Sequence, residues 1–136
     1  MMDQSDKRRI LVVDDDSGTR ILLLALLRDS GFNILEACNG KDALERMRGG
    51  GTDLVILDLM MPDVSGWDVL TERDSDPSLQ KIPVIITTAG NRSEVMLRAV
   101  GKRVSAVIAK PFDLAVVLEA VRRGLETSSV LERTAA

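Results

Sequence analysis

Four short runs of the chain are apolar almost without a break: residues 10–13 (Ile-Leu-Val-Val), 54–57 (Leu-Val-Ile-Leu), 84–86 (Val-Ile-Ile) and 104–108 (Val-Ser-Ala-Val-Ile). Alternation would mark a half-buried strand. Continuous β-branched and leucine-rich runs predict strands covered on both faces, as in a parallel sheet. A fifth run, residues 32–37, alternates more and predicts an edge strand.

The stretches between these runs read as helices. Residues 17–30 predict the first, with Asp16 or Ser17 as N-cap and Gly31 as the stop. Residues 39–48 predict the second, where Asn39 and Asp42 have capping-box spacing and Gly49, Gly50 and Gly51 end the helix. Ser65 and Asp68 repeat that spacing at the start of a third helix over residues 65–74. Asn91 and Glu94 repeat it again for a fourth over 91–102. The fifth helix, 113–126, carries Leu114, Val117, Leu118, Val121 and Leu125 on one stripe. A strand–helix unit repeated five times implies an α/β domain with helices on both faces of a parallel sheet. Residues 1–8 and 127–136 are expected to be flexible ends around one domain over 9–126, and no output domain is expected after the fifth helix.

Composition narrows the chemistry. The 136 residues suit a single domain, and no histidine is among them. Ser–His and Cys–His catalytic pairs and imidazole metal ligands are therefore excluded. The single cysteine, Cys38, excludes an internal disulfide and a thiolate zinc site and suits a reducing cytoplasm. A net charge of −3 with three aromatic residues argues against direct DNA binding. The polar start has no signal-type apolar stretch after it, and the apolar residues 21–27 are too few to span a bilayer.

In open α/β sheets, ligands bind beyond the carboxyl ends of the strands. Asp14, Asp15 and Asp16 follow the first strand, Asp58 the third, Thr87 and Thr88 the fourth, and Lys110 the fifth. A parallel arrangement opens all four ends onto one rim. Crowded carboxylates repel and need a cation. Oxygen ligands without His or Cys suit a hard ion such as Mg²⁺. A lysine and a hydroxyl nearby suit the oxygens of a phosphoryl group, and a carboxylate in that setting can attack phosphorus. Taken singly, each feature also has a plainer reading: a helix cap for Asp14–Asp16, a loop carboxylate for Asp58, a strand end for Thr88 and a solvated surface lysine for Lys110.

Four pieces in order then resemble the receiver domains of two-component response regulators. They are Ile10-Leu11-Val12-Val13-Asp14-Asp15-Asp16, the stretch from Asp53 through Asp58-Leu59-Met60-Met61-Pro62 to Gly66, Ile82-Pro83-Val84-Ile85-Ile86-Thr87-Thr88-Ala89, and Ala109-Lys110-Pro111-Phe112. The resemblance spans residues 8–126. It implies a flavodoxin-like doubly wound sheet of order 2-1-3-4-5. It implies Asp58 as phosphoacceptor, Thr88 and Lys110 as phosphoryl-binding groups, and a Mg²⁺ held by Asp15, Asp58 and the backbone carbonyl of Met60, with Asp14 acting through water. Ala89 matches a small residue beside the acceptor, and the Lys110–Pro111 bond is usually cis in this family. The implied partners are a sensor histidine kinase or histidine phosphotransfer protein and a downstream protein target. The expected output is a conformational change of the face made by the fourth helix, fifth strand and fifth helix. The chain would assist its own modification without being an enzyme for an outside metabolite.

The start of the first helix, around Thr19, Ile21 and Leu22, is a candidate donor-docking face, and Val116 and Ala120 make a homodimer through the last helix a further candidate. Two departures stand out. Val107 occupies a position where the family usually has an aromatic ring, and Arg103-Val104 replaces the usual Gly-Ala. Met60 and Gly90, at the positions that set acyl-phosphate lifetime, cannot position a water by side-chain hydrogen bonding, so self-dephosphorylation is expected not to be fast. Asp14-x-Asp16 also resembles the nucleophile motif of haloacid-dehalogenase-type phosphatases, although Gly18 departs from it and a second acidic cluster is missing.

Overall fold

The computed structural model describes residues 7–134, with side chains through residue 126. Five strands, β1 (Arg9–Val13), β2 (Asn33–Ala37), β3 (Leu54–Asp58), β4 (Val84–Thr88) and β5 (Ala106–Ala109), alternate with five helices. The helices are α1 (Ser17–Asp29), α2 (Gly40–Arg48), α3 (Gly66–Ser75), α4 (Arg92–Arg98) and α5 (Leu114–Thr134). All strand pairs are parallel, in the order β2-β1-β3-β4-β5. This is the flavodoxin-like order that the family resemblance implied.

The continuous apolar runs have a direct explanation. Along β1, Leu11 and Val13 face one core while Ile10 and Val12 face the other. On β3, Val55 and Leu57 join the first core, and Leu54 and Ile56 the second. α2 and α3 cover the first core with Ala43, Leu44, Met47, Val69 and Leu70. α1 and α5 cover the second with Leu23, Leu27, Val117, Val121 and Leu125. Each large aliphatic side chain so buried contributes about 1.5–3 kcal/mol. Two apolar faces leave no polar alternation in the central strands.

The caps form where the spacing put them. Asp16 caps α1 through the amide of Thr19, Asn39 caps α2 through Asp42, and Asn91 caps α4 through Glu94. Ser65 and Asp68 make a complete reciprocal capping box on α3. Two boundaries differ from expectation. α4 stops at Arg98, short of residue 102, because Gly101 turns the chain at φ 85° and no residue of the helix is buried to prolong it. α5 continues past Glu126 to Thr134. Of the flexible ends expected over 1–8 and 127–136, residues 1–6 and 135–136 lie outside the described residues, and 127–134 belong to α5.

The order of the strands reverses between β1 and β3. Each is followed by a helix on the opposite face of the sheet, so a crevice opens at their carboxyl ends. The acidic residues stand there.

Candidate functional site

Asp14 follows the last residue of β1 and Asp58 is the last residue of the neighbouring β3, and both are buried, at 2% and 3% exposure. Asp14 leaves β1 with its backbone amide bonded to the Ala37 carbonyl. Its Oδ1 accepts from the Asp16 amide at 2.9 Å, and its Oδ2 accepts from the Lys110 ammonium at 2.7 Å. Asp58 Oδ1 accepts from the Met60 amide at 3.2 Å, and its Oδ2 lies 3.5 Å from Lys110 Nζ. One ammonium therefore bridges two buried carboxylates. The Lys110–Pro111 peptide is cis, and the Lys110 amide donates to the Thr88 carbonyl at 2.7 Å. The backbone of β5 is thus tied to β4 where the lysine leaves the sheet.

The charges do not balance. Burial pushes the Asp58 carboxyl above its ordinary pKa, and the negative charge of Asp14 adds to the rise, against the opposing pull of Lys110. Burial alone would weaken the Lys110 ammonium, yet the hydrogen bond to Asp14 and the charges of Asp58 and Asp14 outweigh it and raise its pKa. Asp15 is exposed at the mouth. Carboxylate oxygens of Asp14, Asp15 and Asp58 lie within 4.8 Å of one another. An all-oxygen set this close, with one ammonium against three carboxylates, is compatible with a hard divalent cation.

The remaining predicted residues fall around this pocket. Thr88 is buried at the end of β4, and its Oγ accepts from the Gly90 amide at 2.9 Å. Ala89 is exposed beside it, and Met60 is exposed as well. Asp16 is not drawn into the acidic cluster. Its Oδ2 accepts from the Thr19 amide and hydroxyl at 3.0 and 2.6 Å, which holds its carboxyl below the ordinary carboxylate range. That engagement leaves Asp16 as a cap and weakens the phosphatase alternative, which needs it as acid and base. Val107 is buried, and its carbonyl accepts from Arg92 Nε at 2.8 Å.

Sequence reasoning missed Arg20. Its guanidinium donates to the Asp14 carbonyl at 2.6 Å and pairs with Glu36 at 3.4 Å, which steadies the loop after β1. A lone arginine inside a helix gives no local signal of that role. Gly66 is the other positioning residue. A Cβ there would come within 2.6 Å of the Asp58 carbonyl oxygen and 2.7 Å of Leu59 Cα, so only glycine lets α3 start against the backbone of Asp58.

The fold and this rim together define a flavodoxin-like domain with an acidic pocket at its topological switch point. The model of the response regulator receiver domain matches residues 10–122. The chain is 34% identical over 119 residues to the chemotaxis protein CheY of Pseudomonas aeruginosa, covering 87% of this chain and 96% of that one. It is 38% identical over 112 residues to CheY-3 of Vibrio cholerae, covering 82% and 86%. Among solved structures, the signal receiver domain of a putative LuxO repressor protein from Vibrio parahaemolyticus superposes with a TM-score of 0.87 at 25% identity, covering 96% of this chain and 98% of that one. A CheY-like receiver domain from Methanospirillum hungatei shares the fold at a TM-score of 0.83 and 22% identity, covering 91% and 98%. The chain belongs to the response regulator receiver family, a signalling domain of two-component and chemotaxis systems. No helix among the described residues is long and apolar enough to cross a membrane.

Proposed function

We propose that Asp58 accepts a phosphoryl group from the phosphohistidine of a sensor histidine kinase or histidine phosphotransfer protein in the cytoplasm, in a Mg²⁺-dependent reaction. A carboxylate oxygen of Asp58 attacks phosphorus. The O–P bond forms as the P–N bond to the donor imidazole breaks, and the electron pair returns to that ring. Lys110 already sits 3.5 Å from Asp58 Oδ2, where its ammonium meets charge developing on the transferred group. Thr88, buried at the neighbouring strand end, supplies a hydroxyl donor once it turns from the Gly90 amide.

Asp15, Asp58 and the backbone carbonyl of Met60 are the residues suited to hold Mg²⁺, with Asp14 acting through water. When bound, the ion neutralises the carboxylates and the phosphoryl oxygens. The new charge, about −1.5 to −2, replaces that of a single carboxylate. It favours a second arrangement of the α4–β5–α5 face, to which a downstream protein or a second copy of the chain binds.

The observation that carries this reading is the shared pocket of Asp14, Asp15, Asp58 and Lys110, two of whose carboxylates are buried around one ammonium. Incubation with Mg²⁺ and acetyl phosphate, followed by intact mass measurement, tests it. Wild type gains one phosphate and Asp58→Asn gains none. Chelation of divalent ions removes the adduct from wild type as well. An equal adduct on both proteins, or none on either, overturns the reading.

A further inference from the structure

A cavity of about 250 Å³ opens between α3 and α4 beside the acidic pocket, lined in part by Met60, Trp67, Thr88, Gly90, Glu94 and Arg98. Two of these tie it to the acceptor. The Met60 amide bonds Asp58 Oδ1, and Thr88 follows Thr87, the direct sheet partner of Asp58. Lys110 engages the other oxygen, Oδ2. The space beside Gly90 is open, since a Cβ there would meet only the Thr88 hydroxyl, at 3.4 Å.

The outer wall carries unusual chemistry for so small a space. The Arg98 guanidinium of α4 stacks 4.3 Å over the Trp67 ring of α3. Arg98 has no carboxylate partner among the described residues. Glu94 lies one helical turn earlier on the same wall, with its carboxylate likewise unpaired. An unpaired cation over an aromatic face, in a cavity that extends to Met60 and Thr88, fits a small group that is apolar in body and anionic at one end.

We infer that this cavity receives the leaving group of a small acyl phosphate, making Arg98 and Trp67 specificity determinants for such donors; the inference rests on Asp58 being the phosphoacceptor. In the transfer, Asp58 forms its O–P bond while the P–O bond to the acyl oxygen breaks. The electron pair stays on that oxygen, and a carboxylate leaves. Arg98 meets that new negative charge, Trp67 covers the short carbon chain, and Glu94 opposes the charge. A phosphoramidate donor breaks a P–N bond and releases ammonia, which gives Arg98 nothing to hold.

The test compares second-order rate constants for phosphorylation of the full chain by acetyl phosphate and by phosphoramidate, with Mg²⁺, read by intact mass. Arg98→Gln lowers the acetyl phosphate constant about three- to fivefold, the upper end of the scale of one solvent-accessible charge contact, and leaves the phosphoramidate constant unchanged. Arg98→Lys recovers part of the loss, and Glu94→Gln raises the acetyl phosphate constant. A purely structural role would slow both donors alike and would not give opposite signs at positions 94 and 98. Wild type labelled by both donors with an unchanged donor ratio in Arg98→Gln overturns this inference alone. Wild type labelled by neither donor overturns the Asp58 reading with it.

Discussion

α1 and α4 begin at the same rim and with the same device, an Asp or Asn side chain that accepts from the amide three residues on. They part after the first turn. α1 runs for 13 residues and sets Leu23 and Leu27 fully into the core. α4 runs for 7, buries none of them, and leaves Leu97 75% exposed, with Val100 beyond it at 76%. A helix this short is not stable by backbone hydrogen bonds alone. What holds α4 is its cap, the partly buried Val95, the Arg92 bond to the Val107 carbonyl and the Arg98–Trp67 stack. Each is a surface or half-surface contact. Rigidity and compliance are thus divided between two neighbours of one pocket, and the element with the least burial is the one free to respond.

Native-state hydrogen exchange gives the largest contrast. The amides of Leu23 and Leu27 in α1 exchange only with global unfolding, whereas those of α4 exchange orders of magnitude faster. Equal protection in the two helices would erase the distinction. Core truncation sharpens it. Leu27→Ala lowers stability by about 2–5 kcal/mol in a denaturant titration, while Leu97→Ala stays within about 0.5 kcal/mol. Arg92→Ala probes the tether itself. Loss of its bond to Val107 speeds exchange within α4 by about tenfold, the scale of one hydrogen bond, and leaves the global unfolding midpoint nearly unmoved.

The smallest effect is a control outside both helices. Asp76, at the end of α3, accepts from the hydroxyl and amide of Ser78, which hold its carboxyl below the ordinary value of 3.8. The folded state therefore binds its proton less readily than the unfolded chain. The stabilisation is complete above that ordinary value and fades as pH falls through the lower folded value. Ser78→Ala flattens this part of an acid titration without altering the exchange of α1 or α4.

The sheet was legible because its central strands are buried on two faces, which writes them as unbroken apolar runs, while the edge strand β2 alternates. The caps were legible because a short polar side chain three residues before its amide partner is a local rule. Asp14, Asp15, Asp58 and Lys110 were placed on one rim by topology alone, since parallel strands end together. The end of α4 was not legible. Val95, Met96 and Leu97 give it apolar character, but adjacent positions on a helix do not share one face, and beyond the buried Ala99 the exposed Val100 and the turn at Gly101 give a longer helix little to bury. Contacts between distant segments were equally silent. Arg20 reaching the Asp14 carbonyl, Arg92 reaching Val107 and Arg98 lying over Trp67 depend on how helices sit on the sheet, and no spacing rule encodes that.

The tight seat of Gly66 bears on how a new charge would be felt. With the first residue of α3 pressed against the main chain of Asp58 and Leu59, the backbone at Asp58 has no room to recoil toward that helix. Any accommodation of a bulkier, more negative side chain must travel sideways along the sheet, through the Thr88–Gly90 turn and into the loosely moored helix that follows it.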